Sequence, residues 1–119
     1  MATATTADVL RKALEILDDG KSWTKGNYAK SKYGYSAVLA LTAVSFCAIG
    51  GVRRAAHELG WAENDAYRAF DALARNIHTL PNAYGSTKVV GYNDAKWRKW
   101  SEVKALFNRA IKDVEKRES

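Results

Sequence analysis

The sequence predicts a mainly helical α+β domain: about four helices around a central small-residue helix, with a small β-hairpin or three short strands. Three observations predict it. Apolar residues recur at spacings of three and four in the opening, middle and closing stretches. Between residues 22 and 38 the period changes, and tyrosine, glycine and lysine take over. From Thr42 to Gly60, Val44, Cys47, Ala48, Gly51 and Ala55 fall on one helical face, and most are small enough for another backbone to approach closely. A length of 119 residues, with 47% apolar and 27% charged residues and one proline, suits a single globular domain whose core needs no staple.

Met1 to Thr5 has no pattern and reads as a frayed terminus. A helix is expected to start at Thr6, whose hydroxyl can cap open amides, with Asp8 in the first turn. Val9, Leu10, Ala13, Leu14, Ile16 and Leu17 form its apolar stripe, and Gly20 ends it. Trp23, Asn27, Tyr28, Tyr33 and Tyr35, with Gly26 and Gly34, predict short strands joined by a turn at Lys32-Tyr33-Gly34. Ala37 to Ala43 can extend the second strand or open the next helix. The preferred reading is a strand to about Leu39 or Leu41, then a helix capped by Thr42 that stops at Gly60.

The next helix is expected from Glu63 or Asn64 to Ile77, with Ala66, Ala69, Phe70, Leu73 and Ile77 as its stripe. Pro81 closes that segment, and Asn82 to Thr87 reads as a loop. Lys88 to Tyr92 leans towards strand, and Asn93-Asp94 towards a turn. A last helix is expected to be capped by Ser101, with Glu102 in its first turn and Val103, Leu106, Phe107, Ala110, Ile111 and Val114 inward.

The net charge of +6 is unevenly placed. Residues 20–57 hold Lys21, Lys25, Lys30, Lys32, Arg53 and Arg54 and no acid, so this block alone carries +6. Such a field attracts anionic partners, nucleic acid or an acidic protein surface; aid to solubility is the plainer reading. One cysteine excludes an intrachain disulfide and fits a reducing, cytoplasmic setting. No basic-then-apolar segment opens the chain, which argues against a secretory signal, and no apolar run approaches a membrane span.

Candidate chemistry is sparse. Cys47 is the only thiol, and a nucleophilic cysteine needs access and a lowered pKa. His57 lies about 280° around the same predicted helix, so only the tertiary fold could bring an imidazole, that of His78, to Cys47. A packed, inert thiol is the favoured reading. One cysteine and two histidines without paired spacing predict no metal, and the absence of phosphate-loop glycine motifs predicts no cofactor. Asn93-Asp94 is a possible polar site, set against a plain turn or helix-capping role.

The strongest functional signal is basic and aromatic. Lys96, Trp97, Arg98, Lys99 and Trp100 alternate cations with flat rings, and Lys25, Tyr28, Lys30, Lys32 and Tyr33 do so more loosely. Lysine and arginine neutralise phosphates and rings stack on exposed bases, at about 1–3 kcal/mol per base. The same residue types dominate protein–protein hot spots. Against this stands an anchoring role for one of the two tryptophans, with the lysines merely solvated.

Three groups of residues also resemble one known family. They are Trp23 with Gly26-Asn27-Tyr28-Ala29-Lys30, then Ala43-Val44-Ser45-Phe46-Cys47-Ala48-Ile49-Gly50-Gly51, then Val90-Gly91-Tyr92-Asn93-Asp94-Ala95 followed by Ser101-Glu102-Val103-Lys104-Ala105-Leu106-Phe107. The family is a small uncharacterised one of bacteria and their phages, and the resemblance spans nearly the whole chain. It implies a helix–hairpin–helix–helix order and nothing catalytic. The chain departs from it after Asp94, where the family's loop tends to proline and glycine and this one reads Lys96 to Trp100. The expectation is a non-enzymatic module, an accessory of a phage or mobile element, that binds a host protein or nucleoprotein. Direct DNA or RNA binding is the alternative, and a thiol enzyme using Cys47 the weaker one.

Overall fold

The computed structural model describes residues 3–118. Among them α1 (Thr6–Leu17) is followed by a small sheet, β1 (Ala29–Ser31), β2 (Gly34–Tyr35) and β3 (Ser45–Phe46). Then come α2 (Ala48–Glu58), α3 (Tyr67–Arg75), α4 (Gly85–Asp94) and α5 (Trp100–Arg117). The fold is the expected mainly helical α+β one, with five helices instead of about four.

α1 packs on α2 and α5, and α3 on α4 and α5. Leu10, Leu17, Val52, Leu73, Leu106 and Phe107 fill the space between them and are fully buried. The α5 stripe is buried at all six expected positions. The predicted stripe of α1 splits, with Val9, Leu10, Ala13 and Leu17 in the core and Leu14 and Ile16 half-buried at its margin. Its cap is Thr5 rather than Thr6. The Thr5 hydroxyl accepts from Asp8 N at 3.0 Å, and the Asp8 carboxylate accepts from Thr5 N at 2.9 Å. This reciprocal pair satisfies two open amides, which a lone hydroxyl at Thr6 could not do; Thr6 is instead buried and donates to Glu118. Of the five opening residues expected to fray, Met1 and Ala2 lie outside the described residues, while the Ala4 carbonyl accepts from the Trp61 indole at 3.0 Å.

The hairpin turns at Lys32-Tyr33 as expected, and the sheet order is β2-β1-β3, all antiparallel. Lys30 sits opposite both Tyr35 and Ser45, and Ala29 opposite buried Phe46. One face therefore turns to the core while Tyr28, Lys30 and Tyr35 share the other. The outer edge of β3 is closed by Phe46 N to Ser22 O at 2.8 Å and Thr24 N to Phe46 O at 2.9 Å.

The second strand ends at Tyr35, not near Leu39 or Leu41, and the central helix starts at Ala48, not after Thr42. Residues 36–44 run through turns to β3, with the Val38 and Ala40 carbonyls held by the Arg54 guanidinium at 2.9 and 3.0 Å. Val44 cannot join the helix because its amide is committed to Lys30 O at 2.8 Å; it is exposed instead. Two glycines also weaken helix propensity at the front of α2, which favours a late start. At the far end, Gly60 takes a positive φ of 80° past the last turn, as expected of a helix stop.

The third helix begins as a 3₁₀ turn over Glu63–Ala66 and runs as α-helix only to Arg75, with Ile77 buried just beyond it. The predicted loop holds at 82–84, but from Gly85 it and the predicted strand at 88–92 are replaced by α4. Val89 and Asn93, four residues apart, are its buried pair, and packing on α3 and α2 outweighs the β preference of Val89-Val90. Asn93-Asp94 is thus the last pair of a helix and not a turn. α5 begins at Trp100 after Lys99, with Lys99 N donating to the Glu102 carboxylate at 2.9 Å, so Ser101 caps nothing.

α3 and α5 are clasped at Asp113, which accepts from Arg117, Asn76 and Arg75. Burial pushes this carboxyl up, but those three donors outweigh it and leave its pKa below 3.8. Stability from a lowered carboxyl is present above the unfolded value and is lost as pH falls through the folded one. Urea unfolding between about pH 2 and 5 should therefore show an acid limb that Asp113→Asn flattens, at a cost near neutrality of no more than about 1 kcal/mol for so exposed a cluster.

Candidate functional site

Asn93 is fully buried, and its side chain is bonded at both ends. The oxygen accepts from Trp23 Nε1 at 2.7 Å and from Ala48 N at 3.0 Å. The nitrogen donates to Thr24 O at 3.1 Å and Asp94 Oδ1 at 2.8 Å. Ala48 is the first residue of α2, so the end of α4 caps the start of α2 across the fold. Asp94 Oδ1 also accepts from Gly26 N at 3.1 Å. Lys25 Nζ donates to Ala95 O at 2.8 Å, satisfying a carbonyl at the C-terminal end of α4.

These contacts join the two basic-aromatic stretches that the sequence keeps some seventy residues apart. Segment 23–28 lies along the end of α4 and the 95–99 loop. Sequence reasoning gave Asn93 a local turn or capping role and missed its long-range one. The signal available was an Asn-Asp pair between a Val-Val stretch and a basic loop, which carries no information about a partner seventy residues away.

The predicted binding residues divide into two sets. Lys25, Arg98 and Trp100 are spent on the fold. The Arg98 guanidinium lies 3.5 Å from the Tyr92 ring centroid, donates to Tyr92 O at 2.7 Å and pairs with Glu102. Trp100 rests against Gly20 and tilts on Trp23 at 6.0 Å, and its indole donates to Asp19 at 3.1 Å. That hydrogen bond, with the one from Lys104 and the charge of that lysine, holds the Asp19 carboxyl below its ordinary value. The other set faces solvent. Trp97 is 81% exposed with Lys96 Nζ 5.0 Å from its ring, and Tyr33 is 87% exposed with Lys32 placed the same way. Tyr28 and Lys99 are exposed, and Lys30 is half-buried. Among the described residues none of Lys30, Lys32, Lys96 and Lys99 has a carboxylate within 4.0 Å.

A groove of about 350 Å³ opens where the sheet meets α4, lined by Gly26, Asn27, Tyr28, Tyr35, Cys47, Val90 and Asp94. Cys47 forms part of its floor but is only 3% exposed, and its Sγ accepts from Gly50 N at 3.5 Å. Burial pushes the thiol up from 9.0, against the small pull of the first α2 amides. Neither histidine lines the groove. A protonated, enclosed sulfur with no imidazole in the groove beside it, its ionisation opposed further by the Asp94 carboxylate, is a poor nucleophile. Iodoacetamide should leave it unmodified in the native protein and label it once denaturant is added. The same shift makes folding less favourable as pH rises above about 9, where the unfolded thiol ionises and the buried one resists. Among the described residues no group of three His, Cys, Asp or Glu side chains could hold a metal ion, and no helix is long and apolar enough to cross a membrane.

No curated protein and no solved structure matches the chain. A family model described as a family of unknown function (DUF6197) matches residues 1–113, and the chain belongs to that family.

Proposed function

We propose that this family member is a non-enzymatic binding module, an accessory of a phage or mobile element, that docks on a host protein or nucleoprotein in the cytoplasm. The docking face is the basic-aromatic surface of Tyr28, Lys30, Lys32, Tyr33, Lys96, Trp97 and Lys99. The observation that carries it is that Lys30, Lys32 and Lys96 have no carboxylate within 4.0 Å among the described residues and stand beside the exposed rings of Tyr28, Tyr33 and Trp97, in two stretches that Asn93 and Asp94 help to join. Solvating a Trp that stands 81% exposed stabilises nothing in the monomer, whereas at an interface such a ring supplies anchor energy.

The test is capture from a bacterial lysate on the immobilised chain, with and without nuclease, beside a Lys96→Glu/Trp97→Ala variant. Both positions are exposed, so the variant should keep its stability within about 0.5 kcal/mol and lose the captured partner by tenfold or more. An identical captured set from variant and wild type overturns the reading. Direct nucleic-acid binding is the second reading, favoured by the same uncompensated lysines. Its signature is an affinity that falls steeply with salt, with a slope that counts neutralised phosphates.

A further inference from the structure

The hairpin end of the sheet carries apolar side chains that the core does not use. β3 runs antiparallel to β1, so the chain that enters β3 comes from the end where β1 turns into the hairpin. Val44 N bonds to Lys30 O at 2.8 Å, which sets residue 44 beside the turn at Lys32-Tyr33. A turn closed by Ala43 N to Ala40 O at 3.2 Å puts Leu41 and Thr42 at its corner, just before that point. At this end Leu41 is 96% exposed, Tyr33 87% and Val44 56%. The loop is tied down at its base, where the Arg54 guanidinium holds the Val38 and Ala40 carbonyls. The exposure of Leu41 is therefore part of the fold.

Positive charge accompanies these tips. Lys30 and Lys32 lie on the same hairpin, within the acid-free block of residues 20–57, and have no carboxylate within 4.0 Å among the described residues. A surface with apolar tips and lysines behind them discriminates among partners. A second copy of the chain would set the same lysines against each other. Nucleic acid offers phosphates to the lysines and bases to Tyr33, but no slot for an aliphatic leucine or valine. A folded protein must supply a shaped pocket for each projection, whereas the boundary of a lipid bilayer receives all of them. There leucine and valine meet the acyl chains, tyrosine favours the headgroup level, and lysines are drawn to anionic lipid.

We propose that the hairpin end of the sheet docks on an anionic lipid surface, with Leu41 and Val44 in the acyl boundary, Tyr33 at the headgroup level, and Lys30 and Lys32 on the lipid phosphates. The protein lies on such a surface; no described helix is long and apolar enough to cross it. Two apolar tips and two lysines make the association weak and reversible, like that of a single acyl chain. The proposal does not rest on the docking of a host protein, whose Lys96 and Trp97 stand on the other stretch, so either reading can fail alone.

The probe is vesicles of equal parts phosphatidylcholine and phosphatidylglycerol, with pure phosphatidylcholine vesicles beside them, in a sedimentation assay at low salt. The chain should partition about tenfold or more in favour of the anionic vesicles, and added salt should weaken that preference. Leu41→Ser removes the most exposed tip and, at so open a position, should leave the melting temperature unchanged while lowering partitioning about tenfold. Lys30→Gln with Lys32→Gln should lower it by a similar factor and flatten the salt dependence. An environment-sensitive fluorophore on Thr42→Cys, at the same exposed turn, should shift to the blue on anionic vesicles, while the enclosed Cys47 takes no label in the native protein. Equal partitioning onto both kinds of vesicle overturns the proposal. So does unaltered partitioning of Leu41→Ser, which would leave a contact made by charge alone. If a polyglutamate peptide or a thymidine strand binds and neither kind of vesicle does, the surface belongs to an acidic protein or to nucleic acid, and the lipid reading falls.

Discussion

Asn93→Ala is expected to lower the folding free energy by about 3–5 kcal/mol. The truncation leaves three groups without partners: Trp23 Nε1, the Ala48 amide and the Thr24 carbonyl. Each orphaned group costs about 1–3 kcal/mol in a buried setting, and water entering the gap recovers part of it. The Trp23 and Ala48 groups can only donate, so the side-chain oxygen must face them and the nitrogen must face Thr24. Asn93→Asp separates the two halves of the network. It keeps both acceptor contacts, loses the donors to Thr24 and Asp94, and sets two carboxylates side by side. Its loss should be smaller than that of alanine, and should shrink further as pH falls and protonation restores a donor, since a carboxyl raised by a like charge favours the folded state in acid. Urea unfolding followed by tryptophan fluorescence reads both variants. A loss below about 1 kcal/mol for Asn93→Ala would show that the network is supported by something other than this side chain. Because the same bonds align residues 23–28 with the loop after α4, the alanine variant should also bind partners poorly at temperatures where it is still folded.

What was legible in the sequence follows from how local the governing interactions are. The helices α1 and α5 were readable because their stripes are amphipathic over three turns or more and face a single core. The hairpin was readable from its turn chemistry at Lys32-Tyr33-Gly34. α4 was not, because only Val89 and Asn93 are buried on it, so it has no stripe to detect, and its Val-Val pair points towards strand. The start of α2 was misplaced for a related reason. Its N-cap is Cys47, assisted by Asn93 from another helix, and no hydroxyl marks it locally. The candidate surface shows the same limit. Composition selected cations and rings, but Lys25, Arg98 and Trp100 are indistinguishable in sequence from Lys96 and Trp97. Only the carbonyls, rings and carboxylate that they meet in three dimensions separate the two sets.

Gly50→Ala is expected to destabilise the fold by about 3 kcal/mol or more, against a helix propensity that alone would favour alanine by about 1 kcal/mol. A Cβ at Gly50 would overlap the carbonyl oxygen of Tyr28. That oxygen belongs to backbone entering β1 and is itself held by Cys47 N at 3.2 Å, so no side-chain rotation can relieve the clash. Either the strand must retreat from the helix or the first turn of α2 must unwind, and both break the contacts that set the groove. Gly51 is the internal control, one residue away in the same helix. Its added Cβ would meet the Leu17 side chain at 3.2 Å, which a small rotamer shift can accommodate. Gly51→Ala should therefore change stability by less than about 1 kcal/mol in either direction, as the propensity gain offsets a mild overpacking. Thermal melts of the pair should separate by roughly 10 °C for a domain of this size. Equal melting temperatures would mean that the backbone of β1 does not press on α2 at Gly50, and that the small residues at the start of this helix serve propensity or flexibility instead of close approach.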